Sequence, residues 1–310
     1  MIMIEESLNI AIANNATDIH LCPTSTNFLV KYRVAGKVAV LHKEQVSKNA
    51  LNRLKMLSNL DLSETRRAQE GQFSFMFEQS EYFIRISIIN TKLGEKIALR
   101  ILPSGFNHSL QSINLPPHIQ KKLMQSLEKP KGIIFVCGAT GAGKTTTLYS
   151  CLEHLNNGEK TIFTIEDPVE FTIKDFYQCE LNSQIHITPQ YILKSLLRQD
   201  PDVIFIGELR DKETADLALM AAHTGHLVLT TIHTNSALEL FYRLQGWNID
   251  MFTLVSSLNF VIHQKMTYQN NRRVPYFTGI APSWGNNLPK DYQSLINDVA
   301  NWDHYDETTK

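Results

Sequence analysis

The chain has 310 residues, enough for about two domains at roughly 150 residues each, and its 43% hydrophobic and 20% charged fractions are those of an ordinary globular protein. Thirty Lys and Arg against 31 Asp and Glu leave a net charge of -1, so no global positive field is available for phosphate-backbone binding, and DNA or RNA is disfavoured as the main ligand. The apolar runs 133–137 and 203–206 fall far short of the ~20 residues that cross a bilayer, and Glu5 and Glu6 stand where a secretory signal carries positive charge, so a cytosolic protein is expected.

Within residues 2–15, Ile4, Leu8 and Ile12 stand at helical spacing. Residues 18–21, 27–34 and 37–41 read as short strands parted by Pro23 and Gly36, and a second helix is expected over 44–60. After the charged turn 64–67, the segments 72–78, 82–89 and 96–102 alternate as an antiparallel meander, so 1–103 is predicted to be a small α+β domain. Residues 104–117 are rich in Pro, Ser, Asn and Gly and have no period, which predicts a linker.

The grammar then changes. Helix 118–127, strand 132–137, helix 144–155, strand 161–165, helix 189–198, strand 203–206, helix 212–222, strand 226–231 and a helix from Ser236 alternate. Strands that are apolar throughout, interleaved with helices, indicate a parallel sheet covered on both faces, so 118–266 is predicted to be an α/β domain. The signal weakens from Asn259, and 267–310, with Trp284, Trp302 and a polar end, is expected to be a partly ordered tail. Cys22, Cys137, Cys151 and Cys179 include no Cys-x-x-Cys pair, which predicts reduced thiols, mostly in the core, with no zinc site and no disulfide framework.

The strongest chemical signal is Gly138-Ala139-Thr140-Gly141-Ala142-Gly143-Lys144-Thr145, which fits G-x-x-x-x-G-K-[ST] with a strand before it and a helix after it. Glycines let backbone N–H groups close around phosphate oxygens, and the helix N-terminus adds its positive end. Together with Thr146 these residues form the expected ATP-binding set, Lys144 reaching the β and γ phosphates and the Thr145 hydroxyl binding Mg²⁺. Ligands of a parallel α/β sheet collect at the carboxyl ends of its strands. Glu166 and Asp167 follow one strand, Glu208 another and His233 a third. Asp202 begins its strand six residues before Glu208, ~20 Å from that edge, and reads as a turn residue. Glu208 is thus the candidate for polarising the attacking water. Glu166 and Asp167 are candidates for holding Mg²⁺ through water or tuning Glu208, with solvated loop acids as the plain alternative. His233 is a candidate γ-phosphate sensor, and His226 reads as a structural hydrogen-bonder. In the N-terminal domain a four-residue turn pairing Asn90 with Glu95 sets Arg85 opposite Arg100, like charges that need solvent or an anion between them.

Four landmarks in order resemble the secretion ATPase superfamily that powers type II secretion, type IV pili and competence pseudopili: the loop from Gly138 to Thr145, the acidic box 164–170 around Glu166-Asp167-Pro168, the segment 197–211 containing Arg198, Glu208 and Arg210, and the histidine box from Thr224-Gly225-His226 to His233-Thr234. The likeness extends into 16–20, 66–71 and 94–100, and is nearest to the Gram-positive competence pseudopilus assembly ATPase, a subfamily that often lacks the extra N-terminal domain and sometimes the tetracysteine zinc insert. It implies a PAS-like N-terminal domain joined to a RecA-like P-loop ATPase domain, a homo-hexamer using ATP and Mg²⁺, and action on a polytopic membrane platform protein that brings the ring to the cytoplasmic face of the membrane. Matching arginines imply that Arg85, Arg100, Arg198 and Arg210 approach nucleotide, so these join Lys144, Glu208, Glu166 and His233 as expected catalytic residues. Ala35, Lys194, and Lys265 with Met266 depart from the family pattern, the last three implying weaker subunit contacts. The rivals are a type IV pilus extension or retraction motor, a type II secretion ATPase, a RecA-like nucleic-acid translocase and a nucleotide-binding regulator without turnover. The first reading leaves DNA itself to other proteins.

Overall fold

The computed structural model describes residues 4–34, 36–39, 45–103, 106, 108–182, 185–269, 272–285 and 287–306. Two compact units divide the chain, Met1–Gly105 and Phe106–Lys310.

In the first unit, α1 (Ile4–Ala13) precedes β1 (Ala16–Pro23), β2 (Asn27–Val34), β3 (Lys37–Ala39), β4 (Gln45–Ser47), α2 (Asn49–Leu57), β5 (Gln69–Phe77), β6 (Ser80–Thr91) and β7 (Gly94–Pro103). The strands pair antiparallel in the order β3-β2-β1-β7-β6-β5, with β4 beside β2. Period-two alternation turns Ile84, Ile86 and Ile88 of β6 and Ile97 and Leu99 of β7 to one face, where they share a core with Ile4, Leu8 and Ile12 of α1 and Leu54 of α2. The helix expected over 44–60 is shorter: Val46 is buried in β4, paired with Phe28, and helix starts only at Asn49. Ala35, the end of the expected strand 37–41 and residue 44 lie outside the described residues.

In the second unit, α3 (Pro117–Leu127), β8 (Gly132–Cys137), α4 (Lys144–Leu155), β9 (Ile162–Glu166), β10 (Phe176–Glu180), α5 (Pro189–Leu196), β11 (Val203–Ile206), α6 (Lys212–Thr224), β12 (Leu227–Ile232), α7 (Glu239–Gly246), α8 (Met251–Ser257), β13 (Leu258–Gln269), β14 (Arg272–Pro282), α9 (Tyr292–Asn297) and β15 (Trp302–Tyr305) follow in turn. One sheet runs β10-β9-β11-β12-β8-β13-β14-β15, parallel from β10 to β13 and antiparallel beyond. Every residue of β8, β11 and β12 is buried, because apolar cores lie on both sheet faces. This is the α/β, RecA-like fold.

Two expectations are corrected. The described residues of the stretch 104–117 are not a free linker, since Leu110, Ile113 and Leu115 are buried in the second unit's core with Phe106 against them. Irregular spacing of these anchors hid them from any periodic reading, and residues 104, 105 and 107 lie outside the described residues. Nor do residues from 267 form a tail. β13 runs through Met266 into a hairpin with β14, and β15 adds the edge strand. Trp302 is buried with its ring 5.1 Å from that of Trp284, and its Nε1 donates to Leu295 O at 2.8 Å. Residues 270, 271, 286 and 307–310 are outside the description. Among the described residues no helix is long and apolar enough to cross a membrane.

Candidate active site

The parallel strands β8, β9, β11 and β12 end along one edge of the second unit's sheet, and there a cleft of about 550 Å³ is lined by Thr140, Gly141, Gly143, Lys144, Thr145, Thr146, Glu166, Asp167, Glu208, Arg210 and His233, among others. The loop from β8 to α4 takes backbone conformations that L side chains rarely adopt, with φ of +149° at Gly138, +74° at Gly141 and +85° at Gly143. A Cβ at Gly138 would lie 2.1 Å from Gln264 O, and one at Gly143 would lie 2.9 Å from Gln264 Nε2. Gln264, buried on β13, holds the loop from below: its Nε2 donates to Ala142 O at 2.7 Å and its Oε1 accepts from the Thr147 hydroxyl at 2.7 Å. Ala142 is buried beneath the loop, whereas Ala139 borders a neighbouring cavity with His233 and Arg243.

Lys144 begins α4 with its ammonium turned back into the loop, donating to Gly138 O at 2.8 Å and Ala139 O at 2.9 Å. Burial pushes its pKa down, and the charge of Glu208 opposes that shift. Its Nζ lies 3.4 Å from His233 Nδ1, and His233 Nε2 lies 3.0 Å from Glu208 Oε1. The other Glu208 oxygen accepts from Arg210 Nε at 2.8 Å, and Arg210 Nη1 reaches Asp167 Oδ2 at 3.0 Å. These carboxylates hold the Arg210 pKa above its usual value, Glu208 first. The cleft wall is thus a connected line of polar side chains, Lys144, His233, Glu208, Arg210 and Asp167.

Glu166 is the buried acid of the set. Its carboxylate accepts from the Tyr149 hydroxyl, from Thr164 Oγ1 at 2.6 Å and from Gln178 Nε2 at 3.3 Å. Burial raises its pKa, and those hydrogen bonds pull the other way. Tyr149, itself fully buried, has its phenol pKa pushed up by burial and by the neighbouring Glu166, so it acts as a donor. The Thr145 hydroxyl and the oxygens of Glu166, Asp167 and Glu208 are hard donors of the kind magnesium takes, few enough to leave positions for phosphate oxygens and water. The donor set therefore fits a nucleotide-borne Mg²⁺.

Other expected residues lie elsewhere. Arg198 is exposed after α5 and is not among the cleft-lining residues. Asp202 accepts from Thr161 N at 2.7 Å at the start of β11, a turn residue. His226 Nδ1 meets Ala221 O at 2.9 Å at the end of α6, a structural contact. Arg85 and Arg100 stand opposite each other across β6 and β7 with Asn90 opposite Glu95, the expected register. The anions facing them within the first unit are protein carboxylates, Asp18 at 3.0 Å from Arg100 and Glu70 at 3.8 Å from Arg85. The sequence assigns no role in the site to Tyr149, Thr164, Gln178 or Gln264, although Thr164 opens the acidic box. Tyr149, five residues after Lys144, carried the one available signal, since a buried tyrosine hydroxyl requires a partner.

The resemblance can now be stated as membership. Residues 1–288 match the family described as type II/IV secretion system protein, and the chain belongs to that family. It is 36% identical over 279 residues to type II secretion system protein E of Dickeya dadantii, covering 88% of this chain and 56% of that protein. It is 38% identical over 260 residues to the type IV pilus assembly ATPase PilB of Acinetobacter baylyi, covering 83% of this chain and 45% of that protein. The chain thus spans about half the length of these curated relatives. Among solved structures, the pilus retraction motor PilT with bound ADP superposes with a TM-score of 0.76 at 28% identity, covering 91% of this chain and 84% of that chain.

Proposed function

We propose that the chain hydrolyses ATP in this cleft and, as a ring of six copies, converts turnover into work on a polytopic membrane platform protein, assembling a competence-type pseudopilus for DNA uptake. The observation that carries hydrolysis is Glu208, a carboxylate at the strand-end edge between His233 and Arg210, on the wall that also bears Lys144. In this reading loop residues Gly138 to Gly143, with Thr146 beside them, cradle the phosphates, and Lys144 exchanges its carbonyl partners for β and γ oxygens. A magnesium ion, held by Thr145 with Glu166 and Asp167 accepting from its waters, would neutralise charge on the transferred phosphoryl group. Glu208 polarises the attacking water once Arg210 leaves it for phosphate, and His233 reports the γ-phosphate to Glu208. Arg198, Arg85 and Arg100 act as fingers supplied between domains or subunits.

Similarity to a type II secretion protein, a pilus assembly ATPase and a retraction motor holding ADP supports a motor and favours a second reading in which the system is a type IV pilus or a type II secretion machine. In the first reading nucleic acid is not bound directly, no zinc is required, and the ring meets the cytoplasmic face of the membrane only through the platform protein. Lys144→Ala should abolish turnover and most ATP binding, and Glu208→Gln should bind ATP yet hydrolyse it slowly, by about 100-fold or more. Turnover in Lys144→Ala contradicts the assignment; a Glu208→Gln protein at parental rate beside an inactive Glu166→Gln exchanges the two acids. Disrupting the gene should abolish DNA uptake and spare piliation and secretion, the opposite outcome choosing the second reading.

A further inference from the structure

Glu166 reaches the cleft with its carboxylate already engaged. A carboxylate offers about four lone-pair sites, and the hydroxyls of Tyr149 and Thr164 and the amide of Gln178 use three of them. Roughly one site is left for the cleft that Glu166 lines, which fixes the direction in which it can accept.

Tyr149 makes that direction depend on two other parts of the second unit. It sits on α4, so the helix that begins with Lys144 also carries the donor that orients Glu166. Its ring packs on Phe106, Phe171 and Phe205 at centroid separations of 5.4, 5.7 and 5.8 Å, and Phe106 lies 5.6 Å from Phe171 as well. Phe106 is the first residue of the second unit. Gln178 closes the other side, its Nε2 donating to Phe171 O at 2.9 Å and its Oε1 accepting from Ile173 N at 2.9 Å. Phe106, the phosphate-binding helix and the segment after the acidic box therefore meet on one phenol ring and one carboxylate.

Resting on the reading of the cleft as an ATP site, we propose that Tyr149 is a positioning residue for Glu166, and that Phe106, packed on its ring, helps to set how tightly magnesium is held in the cleft. Close-packed interiors pass on small shifts, and a hydrogen bond weakens steeply once its angle opens. A displacement of Phe106 thus turns the phenol and frees Glu166 from its single orientation.

The test measures the magnesium concentration for half-maximal enhancement of fluorescent N-methylanthraniloyl-ADP binding, and in parallel for half-maximal ATP turnover, in the full chain. Tyr149→Phe keeps the ring and removes the hydroxyl; Phe106→Ala keeps the hydroxyl and removes its support. Each should raise the half-saturating magnesium concentration by about tenfold, the usual size for a lost outer-shell partner. Magnesium-free nucleotide affinity should stay within about twofold, which mere core damage would not spare. Because both act through one carboxylate, the double variant should be no worse than Tyr149→Phe alone. If Phe106→Ala does not fold, Phe106→Leu, which keeps apolar bulk without the ring, takes its place. Parental magnesium dependence in Tyr149→Phe, or multiplying effects in the double variant, overturns the proposal while an active parent leaves the ATP reading standing. A parent that binds no nucleotide brings down both.

Discussion

Gly138→Ala and Gly141→Ala each add one methyl group to the same loop, and the structure separates their consequences. At Gly141, φ is +74° and nothing lies within 4 Å of an added Cβ, so the cost is that of the left-handed backbone alone, about 1–2 kcal/mol. At Gly138, φ is +149° and the Cβ would lie 2.1 Å from Gln264 O. An ordinary C···O contact is about 3.3 Å, so loop or strand must move by about 1 Å. The strand resists, because Gln264 is hydrogen-bonded through its side chain to Ala142 O and Thr147 and its β13 backbone lies beside β8. The loop is therefore the part that shifts. A displacement of about 1 Å at a phosphate cradle costs about 100-fold in turnover, and the strained backbone subtracts a further ~1–3 kcal/mol from stability. Turnover of MgATP, affinity for N-methylanthraniloyl-ADP and urea unfolding of the two purified variants measure these effects. Gly138→Ala should lose about 100-fold in turnover with weakened nucleotide binding, and Gly141→Ala should stay within about tenfold of the parent. Equal losses in the two variants, or parental affinity in Gly138→Ala, would refute the argument that the close approach of β13 sets the loop.

The legible part of the site is the part written in short, contiguous patterns. β8, α4 and β11 lie at the residues where apolar runs and the glycine loop put them, because strands buried on both faces need no cross-strand information to be recognised. The rule that ligands gather at carboxyl ends of parallel strands then brought Glu166, Glu208 and His233 to one edge from sequence alone. The same reasoning separated Asp202, at the other end of β11, from Glu208. What stayed hidden depends on strand neighbours that no local pattern encodes. Gln264 reaches the loop only because β13 lies beside β8, a pairing between segments well over 100 residues apart. Gln178 sits on β10, an edge strand with no fully buried residue and so without the apolar signature of its neighbours. The β13–β14 hairpin mixes buried Phe260, Ile262 and Phe277 with exposed Lys265 and Tyr268, and that mixture hid a continuous sheet beneath the look of a tail.

Two further outcomes follow from burial and charge. The Cys137 thiol, fully buried at the end of β8, is pushed up to about 12, and Cys151 is equally enclosed, so a thiol reagent at pH 8 should label half-buried Cys22 first and reach Cys137 and Cys151 only on unfolding. Mapping of labelled peptides checks this, and rapid modification of Cys137 in the folded protein would contradict it. Arg85 and Arg100 should separate a finger role from a structural one. Glu70, the partner of Arg85, is 66% exposed and tolerates losing it, whereas the Asp18 side chain is only 12% exposed and, when Arg100 is removed, keeps partners on Oδ2 alone, the Thr17 hydroxyl at 2.8 Å and Arg33 at 3.6 Å. Arg85→Ala should therefore lower turnover with parental stability, and Arg100→Ala should lower both. Adding Asp18→Asn to Arg100→Ala removes the stranded carboxylate and should restore the thermal midpoint without restoring turnover. Parental hydrolysis by both single variants in assembled rings, or recovery of turnover along with stability in the double variant, would reduce the pair to a charged sheet face held together by Asp18 and Glu70.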